Sequence, residues 1–186
     1  LKKEKVLTDY VIKEKDKLTN YHYVLWYDTD RTILVKHTEF SYKFSKIGEV
    51  PWIYLSSLAE NSLTYHGEIA EYLKKCPKTK LAFQPGTFQI KFGFEKLKDI
   101  YARTEIFFCN VEEAEKILQV ENLPVSELLK KMRELGPKNV VITDGPKGAY
   151  GYDGKDIWFI GPYPDPKPPF ERTGAGDAFS STIVSA

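Results

Sequence analysis

Between residues 52 and 160 the chain alternates short runs of β-branched and aromatic residues with longer stretches whose apolar positions recur at helical spacing, and this alternation constrains the fold more than any other feature. The pattern predicts strands at Trp52–Leu55, Lys80–Phe83, 106–109 and 140–143, and helices over 63–73, 92–102, 112–118 and 125–135. A helix between two strands carries the chain back to start the next strand in the same direction, so the expected class is α/β, with a mostly parallel sheet covered by helices. Gly145, Pro146 and Gly148 interrupt the last repeat, and 148–152 and Ile157–Ile160 flank Asp153-Gly154, a strong hairpin turn signal. In such sheets ligands sit outside the carboxyl ends of the strands. The loops after Cys109, after Thr143 and before Asp177 are therefore the places to search.

Three segments are expected along the 186 residues: a charged stretch over 1–20, a β hairpin region over 21–47 and an α/β core over 48–186. Lysine and arginine number 27 against 26 acidic residues. The resulting charge of +1 gives no electrostatic footprint for nucleic acid or for an anionic membrane, and points to small-molecule partners. Cys76 and Cys109 have neither C-x-x-C nor Cys/His spacing, so no zinc site is expected and reduced thiols in the cytoplasm are the default. The histidines, His22, His37 and His66, share no ligand spacing and read as structural or surface residues. No apolar run reaches the length of a spanning helix, and the lysine-rich start lacks the apolar stretch of a signal peptide. The chain begins at Leu1 and stops inside an apolar helical pattern, which leads to the expectation of a longer natural protein.

Thr173, Gly174, Ala175, Gly176 and Asp177 open the last helix. Small residues leave backbone N–H groups uncovered there, and a helix N-terminus offers unpaired donors and partial positive charge to an anion such as phosphate. Asp177 is the unusual member, since a carboxylate in a phosphate cradle repels its ligand unless it has a task such as taking a proton from an attacking hydroxyl. The plainer alternative is a helix starting close to the sheet with Asp in a favoured first-turn position. A dinucleotide fingerprint fits poorly because Phe179 replaces the third glycine, which argues against a nicotinamide-dependent oxidoreductase, and no Walker-type loop is present.

The run Thr-Gly-Ala-Gly-Asp-Ala-Phe at 173–179, after a proline-rich crossover over 162–169, resembles the signature of the ribokinase/PfkB carbohydrate kinase family. Asn110 and Glu113 are similar to its N-x-x-E motif, Val-Val-Ile-Thr-Asp-Gly-Pro-Lys-Gly at 140–148 to its nucleotide-contacting strand and loop, and Asp153-Gly154 to the hairpin that follows. The resemblance implies a ribokinase-like fold with a small β-hairpin lid, in which Asp177 deprotonates the acceptor hydroxyl and Gly174, Ala175 and Gly176 form an anion hole. It further implies that Thr143, Gly145 and Gly148 contact ATP, that Asn110 reaches the nucleotide phosphates, and that Glu113 holds Mg2+ through water. Magnesium's preference for oxygen ligands and retained hydration agrees with that role. N-x-x-E is equally a helix-capping pattern, and that alternative stays open.

The hairpin over 21–36 resembles the family's lid, with Asp30-Arg31-Thr32 at its tip, although an ordinary β turn explains those residues equally well. Gln84, Pro85, Gly86 and Thr87 resemble a P-G-T that follows a central strand in some members, or else a plain strand-ending turn. Departures exist. Glu171 and Arg172 stand where the family has Asp and Thr, which bears on an adjoining monovalent-cation site, and Thr182 replaces a small residue in the signature helix. The family pattern also extends beyond both ends of the chain. The expected activity is ATP- and Mg2+-dependent phosphorylation of a hydroxyl on a sugar, sugar phosphate or nucleoside, with a homodimer formed through the lid. A non-catalytic nucleotide- or sugar-binding module of the same fold is the alternative.

Overall fold

The chain divides into two units, Leu1–Lys46 and Ile47–Ala186, and the computed structural model describes residues 2–27, 30–36, 38–164 and 173–186. In the first unit β1 (Tyr21–Tyr27) and β2 (Asp30–Lys36) form an antiparallel ladder, from Tyr21 opposite Lys36 to Tyr27 opposite Asp30. The second strand starts two residues before the expected Thr32 because backbone pairing continues up to the turn. Of the turn residues, Asp28 and Thr29 lie outside the described residues, as does His37.

The charged stretch before β1 holds one short 3-10 turn, Lys2–Glu4, and is otherwise largely irregular. Its charges tie the strand flanks together. Glu14 Oε1 accepts from the Ser41 N–H at 2.8 Å, Lys17 Nζ reaches Glu14 at 2.7 Å and the Glu39 carbonyl at 2.5 Å, and Asn20 Oδ1 accepts from the Thr38 N–H at 2.6 Å. The bond from Lys17, followed by that from Ser41, lowers the Glu14 carboxyl from its ordinary range.

The second unit contains β3 (Trp52–Leu55), α1 (Leu63–Lys75), β4 (Lys80–Phe83), α2 (Thr87–Phe92), α3 (Phe94–Arg103), β5 (Thr104–Asn110), α4 (Val111–Leu118), α5 (Val125–Glu134), β6 (Asn139–Thr143), β7 (Ala149–Tyr152), β8 (Ile157–Ile160) and α6 (Ala175–Ser185). Its six strands stand in chain order, β3-β4-β5-β6-β7-β8. The first four are parallel and the last two antiparallel, as the strand–helix alternation and the Asp153-Gly154 turn require. Asp153 Oδ1 closes that turn by accepting from the N–H groups of Lys155 and Asp156, both at 2.8 Å.

Two boundaries differ from expectation. The helix anticipated over 92–102 is two helices, broken at Gly93, whose φ of 80° disfavours a side chain. β5 begins at Thr104, directly after α3, where the Thr104 hydroxyl donates back to the Ile100 carbonyl at 2.7 Å and satisfies a buried oxygen.

Leu81, Ala82 and Phe83 are consecutive and all fully buried, so both faces of β4 are covered. The Phe83, Tyr101 and Phe107 rings form the adjoining core at centroid separations of 5.6, 5.5 and 5.3 Å, two edge-on contacts and one stacked. Every residue of β8, by contrast, is exposed. No helix among the described residues is long and apolar enough to cross a membrane. The proline-rich crossover from residue 165 onward, with Glu171 and Arg172, lies outside the described residues.

Candidate functional site

Parallel β3, β4 and β5 end at one edge of the sheet, and the residues that follow them meet the first turns of α6 in a cleft of about 500 Å³. β3 and its loop contribute Tyr54, Ser56 and Ser57, and the loop after β4 contributes Gln84, Pro85 and Gly86. Glu113 comes from α4, and Asp177, Ala178 and Ser181 from α6. The volume is that of a small-molecule site.

α6 starts as its sequence demands. Gly174 takes the left-handed region at φ 82°, its carbonyl accepts from the Ala178 N–H at 2.9 Å, and the N–H groups of the first turn have no partner within the helix. Asp177 is exposed in that turn, where Gln84 Nε2 donates to its Oδ1 at 3.0 Å. The Tyr54 hydroxyl donates to the Oε1 of the same Gln84 amide. Burial, with a smaller push from the Asp177 charge, raises the Tyr54 phenol above its ordinary value, against a hydrogen bond from Ser180 that lowers it. Tyr54 therefore stays a donor.

Asn110 and Glu113 form a complete capping box at the start of α4. Asn110 Oδ1 accepts from the Glu113 N–H at 2.8 Å, and Glu113 Oε2 accepts from the Asn110 N–H at 2.9 Å. The capping reading of N-x-x-E is thus realised, and Oε1 has no part in it. Burial first, then the charges of Glu112 and Asp177, raises the Glu113 carboxyl above its ordinary range, against the Asn110 N–H and Lys116. Glu113 and Asp177 line the same cleft, and their oxygens and those of the serines are donors of the kind magnesium takes.

Thr143 stands beside Asn110 in the β5–β6 register, at the same sheet edge but not in the cleft wall. Gly145 and Gly148 lie in the β6–β7 connection, where Lys147 and Gly148 N–H groups close short turns and Gly148, at φ 105°, passes so close to the Ile160 carbonyl that a Cβ would collide with it. The cleft therefore unites Asp177 and Glu113, while Asn110, Thr143, Gly145 and Gly148 occupy the adjoining strand ends and turn.

Under the cleft lies a polar network that the sequence pattern did not reveal. Gln89 is 1% exposed and His66 2%. Gln89 Oε1 accepts from the N–H groups of Gly86 at 2.8 Å and Leu58 at 3.2 Å, and its Nε2 reaches the Ser56 carbonyl at 2.9 Å and His66 Nε2 at 3.1 Å. His66 Nδ1 lies 2.8 Å from the Ser62 carbonyl, so Nδ1 carries the proton and Nε2 accepts from the Gln89 amide. One amide thereby joins the loop after β3 to the loop after β4, and a side chain at Gly86 would run into Ser57. Of the three histidines, His66 is structural.

Burial lowers the His66 pKa, against the Ser62 bond that raises it. The depressed value means that the neutral ring's contribution is fully present above the ordinary unfolded value of about 6.5 and is lost as pH falls through the folded one. Thermal melts from pH 7 downward are expected to show a loss of stability below about pH 6.5 that His66→Gln reduces. A melting profile identical in the two proteins would exclude His66 as its source.

The sequence matches the description "pfkB family carbohydrate kinase" across residues 1–186. The chain belongs to the pfkB family. A cytidine kinase of Thermococcus kodakarensis is 38% identical over 89 residues, 48% of this chain and 31% of the relative. Among solved structures, a Burkholderia thailandensis nucleoside kinase in complex with inosine superposes with a TM-score of 0.74 at 14% identity, over 98% of this chain and 60% of that one. Ribokinase from Cryptococcus neoformans var. grubii in complex with ADP gives 0.67 at 18% identity, over 92% and 60%. Ribokinase from Giardia lamblia gives 0.67 at 18%, over 89% and 55%. These likenesses establish the ribokinase-like α/β fold of the pfkB chain. The chain spans 55–60% of those three structures and 31% of the cytidine kinase.

Proposed function

We propose that this pfkB chain belongs to an ATP- and Mg2+-dependent phosphotransferase whose acceptor is a hydroxyl of a nucleoside or sugar, sugar phosphates included. The observation that carries the reading is the meeting of Asp177, in the exposed first turn of α6, with Glu113 and a set of neutral hydroxyl and amide groups in one cleft. Asp177 takes the proton of the attacking hydroxyl as its oxygen bonds to the γ-phosphorus of ATP, and the bond to the β-phosphate oxygen breaks, releasing ADP. The N–H groups of Gly174, Ala175 and Gly176 stabilise the charge on the transferring group. Asn110, Thr143, Gly145 and Gly148 hold the nucleotide on the neighbouring strand ends. Glu113 would hold magnesium through water, and the ion would supply charge neutralisation on the phosphates.

Homodimerisation through β1–β2 belongs to the same reading, supported by the exposed Tyr23, Leu25 and Leu34 on that ladder. So does a cytoplasmic location, supported by two unpaired cysteines.

The test is transfer of labelled phosphate from Mg-ATP to cytidine, inosine, ribose and a pool of sugar phosphates. A phosphorylated product supports the reading. ATP binding without any product would favour a binding module.

Glu113→Gln separates charge from capping, because glutamine at that position also accepts from the Asn110 N–H. The raised Glu113 carboxyl contributes stability below its unfolded value that is lost as pH rises through the folded one, so at neutral pH its ionisation works against the fold. Glu113→Gln is expected to melt no lower than the parent at pH 7, yet to lose about 10- to 100-fold in the magnesium dependence of turnover. Calorimetry and a magnesium titration of the rate check both halves.

A further inference from the structure

We propose that Gln84 is a positioning residue for Asp177, and that Tyr54 sets the direction in which its amide points. The inference rests on the phosphotransferase reading above.

The Gln84 main chain is anchored at the end of β4, where its N–H donates to the Leu55 carbonyl at 2.9 Å. Its side chain crosses the cleft to Asp177, which is 93 residues later in the chain. An amide has one accepting and one donating end. The Tyr54 hydroxyl donates to Oε1, and this leaves Nε2 facing Asp177 Oδ1 at 3.0 Å. With Oδ1 engaged, Oδ2 is the oxygen left to receive a proton from an acceptor hydroxyl. Gln84 thus selects which carboxylate oxygen acts and fixes the plane in which it lies.

The choice of a neutral donor matters chemically. A lysine in this place would pair with the carboxylate and weaken it as a base, whereas an amide orients it without neutralising it. A further carboxylate would add a like charge to a cleft that already holds Glu113 and Asp177.

The experiment compares the parent chain with Gln84→Met, Tyr54→Phe, the double variant and Asp177→Asn, with cytidine as acceptor and Mg-ATP as donor. Methionine keeps the length of the side chain and cannot donate. Gln84→Met is expected to lose about 10- to 100-fold in kcat with the KM for Mg-ATP unchanged, because orientation is lost and nucleotide binding is not. Tyr54→Phe loses less, and the double variant is no slower than Gln84→Met, since the phenol acts through the amide. Full kcat in Gln84→Met, or a loss matched by a rise in the KM for Mg-ATP, would overturn the proposal.

A substrate-free measurement covers the case in which the parent transfers nothing to cytidine or a variant folds poorly. The Gln84 side-chain amide proton directed at Asp177 is expected to move upfield in the NMR spectrum of Asp177→Asn, because a charged acceptor is replaced by a neutral one. An amide signal unaltered by that substitution overturns the positioning role. A parent inactive on cytidine, inosine, ribose and the sugar-phosphate pool alike, or an Asp177→Asn variant as active as the parent, overturns the phosphotransferase reading instead, so the two failures are distinguishable.

Discussion

Replacing Asp177 by asparagine is expected to lower phosphoryl transfer by about 10²- to 10⁴-fold, the range over which a positioned general base contributes. Asparagine preserves the shape of the side chain and still accepts the Gln84 amide at its oxygen, so the hydrogen bond to Gln84 persists. What disappears is the negative oxygen that receives the hydroxyl proton. Asp177 is exposed and forms none of the core, so the fold is expected to be unaffected. Nucleotide affinity should hold, or rise as a like charge leaves the phosphate cradle. Steady-state turnover together with calorimetric ATP binding checks the prediction. Turnover within about threefold of the parent would remove Asp177 from the reaction.

The second large effect concerns stability. Gln89→Leu keeps the volume of the side chain but strips partners from the Gly86 and Leu58 N–H groups, the Ser56 carbonyl and His66 Nε2. Each buried group left unsatisfied costs about 1–3 kcal/mol, and entering water recovers part of it, so the variant is expected to lose at least about 3 kcal/mol in urea denaturation. A loss below about 1 kcal/mol would mean that water replaces the amide fully. The damage is also functional, because Ser56, Ser57 and Gly86 are walls of the cleft. Turnover should fall even at temperatures where the variant remains folded.

The alternation of strands and helices was legible because each element buries one periodic face, and periodicity survives in the sequence without any knowledge of partners. β4 is the exception, legible as a short apolar run between breakers, its three consecutive buried residues marking a strand covered on both sides. Gly93 was harder, since the apolar spacing runs through it and its positive φ belongs to the backbone rather than to the pattern. Asn110 and Glu113 advertised their mutual hydrogen bonds by spacing alone, and Gly86 with Gln89 three residues on was a similar local signal that went unread. Asp177 stood out as a carboxylate among glycines. Tyr54 and Gln84 could not be assigned to it from sequence, because their link to Asp177 exists only once β3, β4 and α6 are folded against one another. Tyr54 looked like another strand aromatic, and nothing local says which face of a short strand carries a functional hydroxyl.

Strand order in the main sheet follows chain order without a single exchange. Each strand from β4 to β8 therefore finds its neighbour in the strand just before it, and this part of the sheet can grow in one direction as a polypeptide leaves the ribosome, with loop closures kept short. Asp177 enters on α6, which packs on β5, and meets the Gln84 amide that follows β4. Ser56, Ser57, Gln84 and the capped Glu113 all precede the base in the chain. Synthesis itself imposes that order, so the helix that brings the base also closes the cleft with Ala178 and Ser181.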